Sequence, residues 1–577
     1  MIKGKKICFA NKQTALLLLL SLLFCVAPFY IQPNLNGGGF SLTFNISVWL
    51  VASWIVAFGL LLVLKQHIFI WPKYGSYFLV FPIILILTSI VSMTEIKQPI
   101  AWLFRQAYIF GGILFLFTIF QFQIKHVTVD KVLLAIAVAI GIHAFFGMMQ
   151  ITSPDFLPAW FPKNIDNIPS GVFQQINVQA SFLTTGMMIV LYLISRPSFR
   201  SLSVVFKVIL ILSFSMAFYV VIASGSRIGL LSIFISFPLL LWGRRKQLYP
   251  QKNILIILLI LSCSSFWSAQ DGFNKTIDKT QRMVDSKYSD TRVDMYRIGM
   301  SLIQQKPVTG YGIGGFLKAW NQQASADKLH HPEVALLGYI THPHNELLFW
   351  MVEGGILAVI GIFFFILGIT LSLFWCGISR GSAYTAMLLP IGLHTQVELP
   401  FYLSSVHWFL WLFLIFIVLR HRTRIIKFSV SRSITLFAGL IVVVFSVLAS
   451  LFLIKTVQAQ ADIYKFLYDK DSSPPHLRIA LKNLYFKPLA EQIAMRSMLY
   501  ASIENNDRSK VIIFKKWAEN YIDTRPELKM YEDLVSASVF LRPEGEGCDA
   551  ISAGYEMYIH NVPLKLAHEK CIKANEQ

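Results

Sequence analysis

Apolar residues recur in long runs from the N-terminus to residue 454, separated by short polar turns and by one polar stretch over 271–343. Runs of about 17–25 apolar residues suit an α-helix crossing a hydrocarbon core of about 30 Å. The pattern predicts spans near 13–33, 46–64, 76–93, 106–124, 132–152, 176–195, 206–224, 228–243, 254–270, 345–375, 383–401, 404–419 and 433–454. The first run has a basic flank (Lys3, Lys5, Lys6, Lys12), as a signal peptide would. No small-residue cleavage site follows it and many spans do, so it reads as a first spanning helix. The expected fold class is an all-α polytopic membrane protein with about 13 transmembrane helices.

Charge orients these spans. With the N-terminus in the cytoplasm, the inner turns collect Lys65, Lys73, Lys125, Lys131, Arg196, Arg200 and Lys207, then Arg244, Arg245, Lys246, Lys252 and Arg380, and finally Arg420, Arg422, Arg424, Lys427 and Arg432. The outer turns hold few cations: none in 34–45, Lys163 alone in 153–175, and Lys97 with Arg105 near the turn between. Cationic loops stay on the cytoplasmic side. An odd number of spans then puts the tail outside, along with the large loop; in a bacterium that is the periplasm, and the chain is a multi-pass inner-membrane protein. The expected division is a transmembrane bundle over 1–270, a periplasmic loop with catalytic elements over 271–344, further spans over 345–454 and a periplasmic helical domain over 455–577.

The tail carries charges and amphipathic stretches such as Leu477–Leu484 and Ala490–Leu499. Its length suits a small helical domain. Helix pairs of the tetratricopeptide kind would fit, although no period of about 34 residues stands out. Cys8 and Cys376 fall on the inner side and Cys25 and Cys263 within spans. Cys548 and Cys571 belong to the tail, where an oxidising compartment makes them a disulfide candidate or leaves two free thiols.

Composition supports this class. Hydrophobic residues make up 55% and charged residues 14%, where a soluble domain carries about 25% charge; mean hydropathy is +0.58. The net charge of +20 reads as cationic loops at a membrane and not as a nucleic-acid surface.

The strongest chemical signal is Thr341-His-Pro-His-Asn-Glu-Leu-Leu-Phe-Trp-Met-Val-Glu353. His342 and His344 stand where the polar loop meets an apolar run, and imidazole moves protons near neutral pH. Arg227 follows Ser224-Gly-Ser226 at the outer end of a span with no acid near it in sequence. A cation there is costly without an anion, so a bound ligand or snorkelling to the interface would explain it. Arg292 precedes an amphipathic stretch (Met295, Ile298, Leu302) and suits either a ligand contact or a salt bridge to Asp290 or Asp294; Arg297 reads as a surface charge.

Pro307-Val-Thr-Gly-Tyr-Gly-Ile-Gly-Gly-Phe316 is either a pyrophosphate nest of backbone N–H groups or a turn that reseats the loop on the membrane. With no preceding strand and no Lys-Ser/Thr ending it is not a nucleotide P-loop. His394 and Glu398 are one turn apart and are expected on one helix face. Glu353 is the other intramembrane carboxylate; either acid can pair with an arginine, orient an imidazole or hold the bundle. Gln174, Gln175 and Asn177 open span six, where amides bind sugar hydroxyls or a peptide, or satisfy nearby backbone. His330 and His331 with His342 and His344 have no regular ligand spacing, and no HExxH, CxxC or Ser-His-Asp pattern occurs. Neither a metal nor another cofactor is expected.

A reaction on the outer face lacks ATP and must bring its own leaving group. A polyprenyl-diphosphate-linked sugar does so, with the lipid in the bilayer and the diphosphate at its surface. Arginine forks suit phosphate oxygens, and guanidinium groups can stabilise the leaving diphosphate without a metal.

Ser-Gly-Ser-Arg227, the Arg292…Pro307-x-x-Gly-x-Gly-x-x-x-Phe316 block and His344-Asn345 with Glu353 resemble the O-antigen ligase and polymerase (WaaL/Wzy) superfamily. Gly-x-Phe173-Gln-Gln-x-Asn177-x-x-Ala180-Ser, with His394-Thr-Gln-x-Glu398-x-Pro400-Phe-Tyr and the outer tail, resembles its branch of bacterial O-linked protein oligosaccharyltransferases of the PglL type. The resemblance covers about residues 165–500. It implies transfer of a whole oligosaccharide from the polyprenyl-diphosphate lipid to Ser or Thr of a periplasmic protein, often a type IV pilin. It places the base on His344 and the diphosphate contacts on Arg227 and Arg292. His342, Asn345, Glu353, Gln175, Asn177, His394 and Glu398 are left as supporting or glycan- and acceptor-contacting residues. An O-antigen ligase acting on lipid A-core, or a repeat-unit polymerase, would use the same chemistry. A polysaccharide transporter or flippase would instead place charges near the bilayer midplane and show a repeat; here polar groups crowd one face.

Overall fold

A computed structural model describes the chain apart from residues 1–2, 36, 92–97, 164–166, 285–290, 331–339, 470–476, 542–547, 559–560 and 576–577. Lys97, Asp290 and His331, and the side chain of His330, lie outside the described residues. The first nine helices are α1 (Lys3–Ser21), α2 (Thr43–Gln66), α3 (Tyr77–Val91), α4 (Pro99–Gln121), α5 (His126–Thr152), α6 (Ile176–Ile194), α7 (Val204–Ala223), α8 (Arg227–Leu248) and α9 (Lys252–Ser268). The polar stretch holds α10 (Gln270–Val284), α11 (Thr291–Gln305) and α12 (Phe316–His330). Then come α13 (Glu346–Trp375), α14 (Gly377–His394), the single turn α15 (Pro400–Leu403), α16 (Ser405–Leu419) and α17 (Arg432–Tyr468). The tail contributes α18 (Lys487–Glu504), α19 (Arg508–Ile522), α20 (Leu528–Leu541), α21 (Cys548–Met557) and α22 (Val562–Asn575).

Helix accounts for 81% of the described residues, and among them nine segments are long and apolar enough to cross a membrane. One of them, Arg227–Ser268, joins α8 and α9, while Tyr77–Ile90 and Ser405–Leu419 are apolar but shorter. The protein is an all-α polytopic membrane protein. Two short strands, β1 (Ile68–Pro72) and β2 (Thr423–Lys427), pair antiparallel. Gln121 finishes the free side of β1, accepting the Ile70 N–H at 2.9 Å and donating to the Ile70 carbonyl at 3.0 Å.

Three elements depart from the pattern read in the sequence. The run 383–401 is not one helix: α14 stops at His394, and Leu399 leaves the helical region (φ −108°, ψ 69°) ahead of Pro400, because proline crowds the helical conformation of the residue before it. Glu398 therefore follows the end of α14, with its N–H still on the His394 carbonyl, one turn back, at 3.0 Å. The run ending at 454 continues as α17 to Tyr468, since no Gly or Pro interrupts 455–468 and polar residues alone do not stop a helix. Within Leu477–Leu484 only a 3₁₀ turn forms, at Ala480–Lys482; the buried Asn483 side chain turns back to the Tyr485 and Phe486 N–H groups, at 3.1 Å each, as asparagine does in turns.

The chain forms two compact units. The first comprises 1–80, 108–282 and 363–464. Its core is built around α6, whose membrane-length window is 89% buried, which explains why its polar side chains turn inward to the helix: Thr184 and Thr185 donate to the Ala180 and Ser181 carbonyls at 2.9 Å each. By contrast the window of α17 is only 6% buried, as expected of a helix that is apolar on every side and bathed in lipid.

The second unit comprises 81–107, 283–362 and 465–577. Its tail helices pack around Leu499, Val511, Phe514, Met530 and Leu534, all fully buried. Buried Asp533 accepts bonds from Arg496 and Tyr500, at 2.5 Å each. Cys548 and Cys571 form a disulfide. The polar stretch is seated on this domain through Lys318 and Asp523 (2.5 Å) and through the Ser325 hydroxyl, which donates to the Glu556 carbonyl.

Candidate active site

In the second unit the chain enters α13 through a tight kink. Pro343 has no N–H to donate, and His344 takes φ 49°, an uncommon left-handed conformation outside glycine. Asn345 then caps α13: its side-chain oxygen accepts the Leu348 N–H at 2.9 Å. The kink brings the His342 and His344 rings to 4.5 Å between centroids, inclined by 69°. The His344 backbone N–H reaches Nδ1 of His342 at 3.4 Å, so that nitrogen accepts and the proton of neutral His342 sits on Nε2. Both rings are half-buried.

The glycine-rich loop is threaded into α13. Gly355 has φ 62° and ψ −162° and breaks the helix. The Ile356 N–H turns from its helical partner to the Pro307 carbonyl at 2.9 Å, and the Val352 carbonyl accepts the Tyr311 N–H at 2.9 Å. A Cβ on Gly355 would lie 2.1 Å from the Val308 oxygen, and one on Gly310 would lie 2.5 Å from the Val352 oxygen. Burial raises the pKa of the Tyr311 phenol, which donates to Gln305 at 2.8 Å.

Glu353 organises this junction. It is 1% exposed and accepts the Gly314 N–H at 3.1 Å and the Phe316 N–H at 3.4 Å. Arg105, on α4, donates to its other oxygen, and the guanidinium lies 4.4 Å from the Phe349 ring centroid. Part of the loop's nest is thus filled by an internal carboxylate. Arg105 is the residue the sequence conceals: it reads as one more loop cation, although a lone charge in Ala-Trp-Leu-Phe-Arg105-Gln is the available signal. Arg292 is half-buried in the first turn of α11. Asp294, one of its expected partners, is bridged by Arg297 (3.4 Å), which also reaches Asp327 on α12 at 3.0 Å.

In the first unit, two sequence motifs meet. Gln175 caps α6, accepting the Val178 N–H at 2.8 Å. Ser226 caps α8, accepting the Gly229 N–H at 3.2 Å, and its hydroxyl donates to the Asn177 side-chain oxygen at 2.8 Å. The starts of α6 and α8 are therefore pinned together, with Arg227 as the first residue of α8. Two aligned helix starts and a guanidinium favour an anion. Behind them, buried Ser181 lies 2.8 Å from Nδ1 of His394 and 3.3 Å from Nε2 of His407. His407 Nε2 donates to the Val178 carbonyl at 3.0 Å, so its Nδ1 accepts from Ser404 at 2.9 Å. Buried His143 stacks on Phe173, 5.2 Å between centroids. His143 and His407 also went unread in the sequence; the signal was a histidine inside an apolar run. His394 is built into this interior network.

Comparison with known families fits this arrangement. A model described as O-antigen ligase matches residues 211–365. One described as virulence factor membrane-bound polymerase, C-terminal, matches 382–555, and one described as protein glycosylation ligase matches 169–194. No curated protein matches the chain significantly. Fold and matches together define a membrane-embedded transferase of the O-antigen ligase type. The three matches support the O-antigen ligase superfamily, in its PglL type. The shortest match covers the segment that carries Gln175 and Asn177; the first covers Arg227, Arg292, His344 and Glu353.

Proposed function

We propose that the protein is an O-linked oligosaccharyltransferase of the bacterial inner membrane. It moves a preassembled glycan from a polyprenyl diphosphate to a Ser or Thr hydroxyl of a periplasmic protein, with a type IV pilin as the acceptor to test first. His344 is the base. It takes the hydroxyl proton as the acceptor oxygen bonds to C1 of the sugar and the C1–oxygen bond to the diphosphate breaks. Arg227 and Arg292 bind the diphosphate and stabilise its charge as it leaves. His342 and Asn345 position His344, and Glu353 holds the glycine loop beside it. The N-terminus is cytoplasmic; the 271–344 loop and the 455–577 tail are periplasmic, where the tail presents the acceptor.

The observation that carries this reading is the strained kink at His344, whose backbone N–H fixes the neighbouring ring. Such conformations cost about 1–3 kcal/mol and persist where surrounding structure enforces them, often at sites of chemistry. The test is expression of the full chain with a glycan pathway and a pilin. His344→Ala should abolish glycan transfer while donor binding persists, and normal turnover in that variant would remove the base. Arg227→Ala or Arg292→Ala should weaken donor binding by about 1.5–3 kcal/mol each. The ligase and polymerase descriptions of the two longer matches favour a second reading, with a lipid or glycan acceptor. Glycan on lipid A-core with unmodified pilin, or lengthened glycan chains, would select it.

A further inference from the structure

The first unit contains a second polar site that the transferase reading does not use. A small surface cleft is lined by Lys73, Tyr74, Ser372, Trp375, His421 and Arg422, among others. The Arg422 guanidinium lies 3.7 Å from the Trp375 ring centroid, and the Lys73 ammonium lies 5.5 Å from the same ring. The Lys73 N–H donates to the Arg422 carbonyl at 2.9 Å, which fixes the two backbones side by side. The Trp375 indole donates to the Tyr74 hydroxyl at 2.7 Å, leaving that hydroxyl its own hydrogen to donate.

Two like charges thus converge on one aromatic ring, at a repulsive cost that an anion between them would remove. Among the described residues no carboxylate lines the cleft. Arg420 follows from α16, with one guanidinium nitrogen on the Ile124 carbonyl at 2.7 Å and another buried without a hydrogen-bond partner among the described residues. Asp130, the carboxylate that acts on Arg420, is itself held by Arg196 at 3.2 Å and Ser198 at 2.8 Å. Burial first, and then Arg380, Arg420, His126 and Arg196, push the pKa of His421 down to about 4. Phe374, next to Trp375 in the chain, is 79% exposed. Exposed Ile425 and Ile426 sit between Arg424 and Lys427 on β2. Apolar side chains beside cations suit acyl chains below a phosphate.

The cleft is also remote from Arg227. The start of α16 meets the start of α6 through His407 and Val178, near the Asn177–Ser226 bond, whereas Leu419 at the other end of α16 lines the cleft. The helix between is about 22 Å long.

We propose that this cleft binds the phosphate of an anionic membrane phospholipid, clamped by Arg422 and Lys73 with Tyr74 as a further donor. The lipid fixes the β1–β2 hairpin and the adjoining ends of α13 and α16 against the bilayer surface.

The test uses the full chain, purified and examined by native mass spectrometry with phosphatidylglycerol, phosphatidylcholine or inorganic phosphate. The unaltered chain should retain phosphatidylglycerol at least tenfold over phosphatidylcholine. Lys73→Gln with Arg422→Gln should weaken that retention by about thirtyfold, while Lys510→Gln, in α19 of the tail, should leave it within about threefold. Photoactivatable phosphatidylglycerol on the unaltered chain should label peptides spanning 372–375 or 418–422, a readout that does not depend on a variant folding. Absence of the lipid preference, its survival in the double variant, an equal loss in Lys510→Gln, or labelling elsewhere would overturn the proposal. Displacement by millimolar inorganic phosphate would make it a free-anion site and overturn the lipid assignment.

Discussion

At the scale of single residues, Glu353 is the charge on which the glycine loop is hung. It answers two backbone N–H groups and one guanidinium, so its removal leaves three donors without their acceptor. Glu353→Ala should cost about 3–5 kcal/mol, as breaking a buried ion pair does, and Arg105→Leu combined with Glu353→Leu should recover part of the loss. Chemical unfolding of the two variants in detergent measures both. His421 offers a pH test of opposite character. A free imidazole takes a proton below about pH 6.5, whereas folded His421 resists until about 4. The unfolded chain therefore gains protons first, and stability falls as the pH drops from 6.5 towards 4, with no contribution above. His421→Gln should reduce the drop in melting temperature between pH 7 and pH 5. The histidine pair at 342 and 344 was legible from its place between polar and apolar sequence. The partner of Glu353 was not, since nothing local to Glu353 points 248 residues back to Arg105.

At the scale of elements, the apolar runs were readable because a bilayer imposes one length on every helix that crosses it. The breaks were harder to see. Pro400 ends a helical path that hydropathy alone extends to 401, and Gly355 lies within a run that reads as one uninterrupted helix. At φ 62° and ψ −162° only glycine is comfortable. Gly355→Ala should therefore destabilise the protein by at least about 3 kcal/mol and reduce the folded yield. Gly392→Ala, where nothing lies within 4 Å of the added methyl, should be neutral or slightly stabilising. Thermal unfolding of the pair separates the two outcomes. The β1–β2 hairpin escaped notice for a related reason: Ile68-Phe-Ile-Trp-Pro is short, apolar and flanked by spans, and its partner lies beyond residue 420.

At the scale of the molecule, membrane class followed from composition, while the division into two compact units did not. Residues 81–107 belong with 283–362 and with the tail, a grouping that long-range pairing creates and sequence order conceals. The tail domain closes with the Cys548–Cys571 bond, which spans a separation of 23 residues. Such a loop contributes about 3 kcal/mol by restricting the unfolded chain. Cys571→Ser should lower the tail's resistance to proteolysis in the full chain, with new cleavage sites confined to 540–577; an unchanged digestion pattern would count against it.

The crossing of the glycine loop through α13 carries a further consequence. Backbone bonds at Ile356 and Val352 are exchanged with Pro307 and Tyr311, so the helix's opening turns are spliced to the loop as firmly as to the rest of their own helix. Those turns begin right after His344. A tug on the loop would be relayed to the imidazoles like a tiller to its rudder.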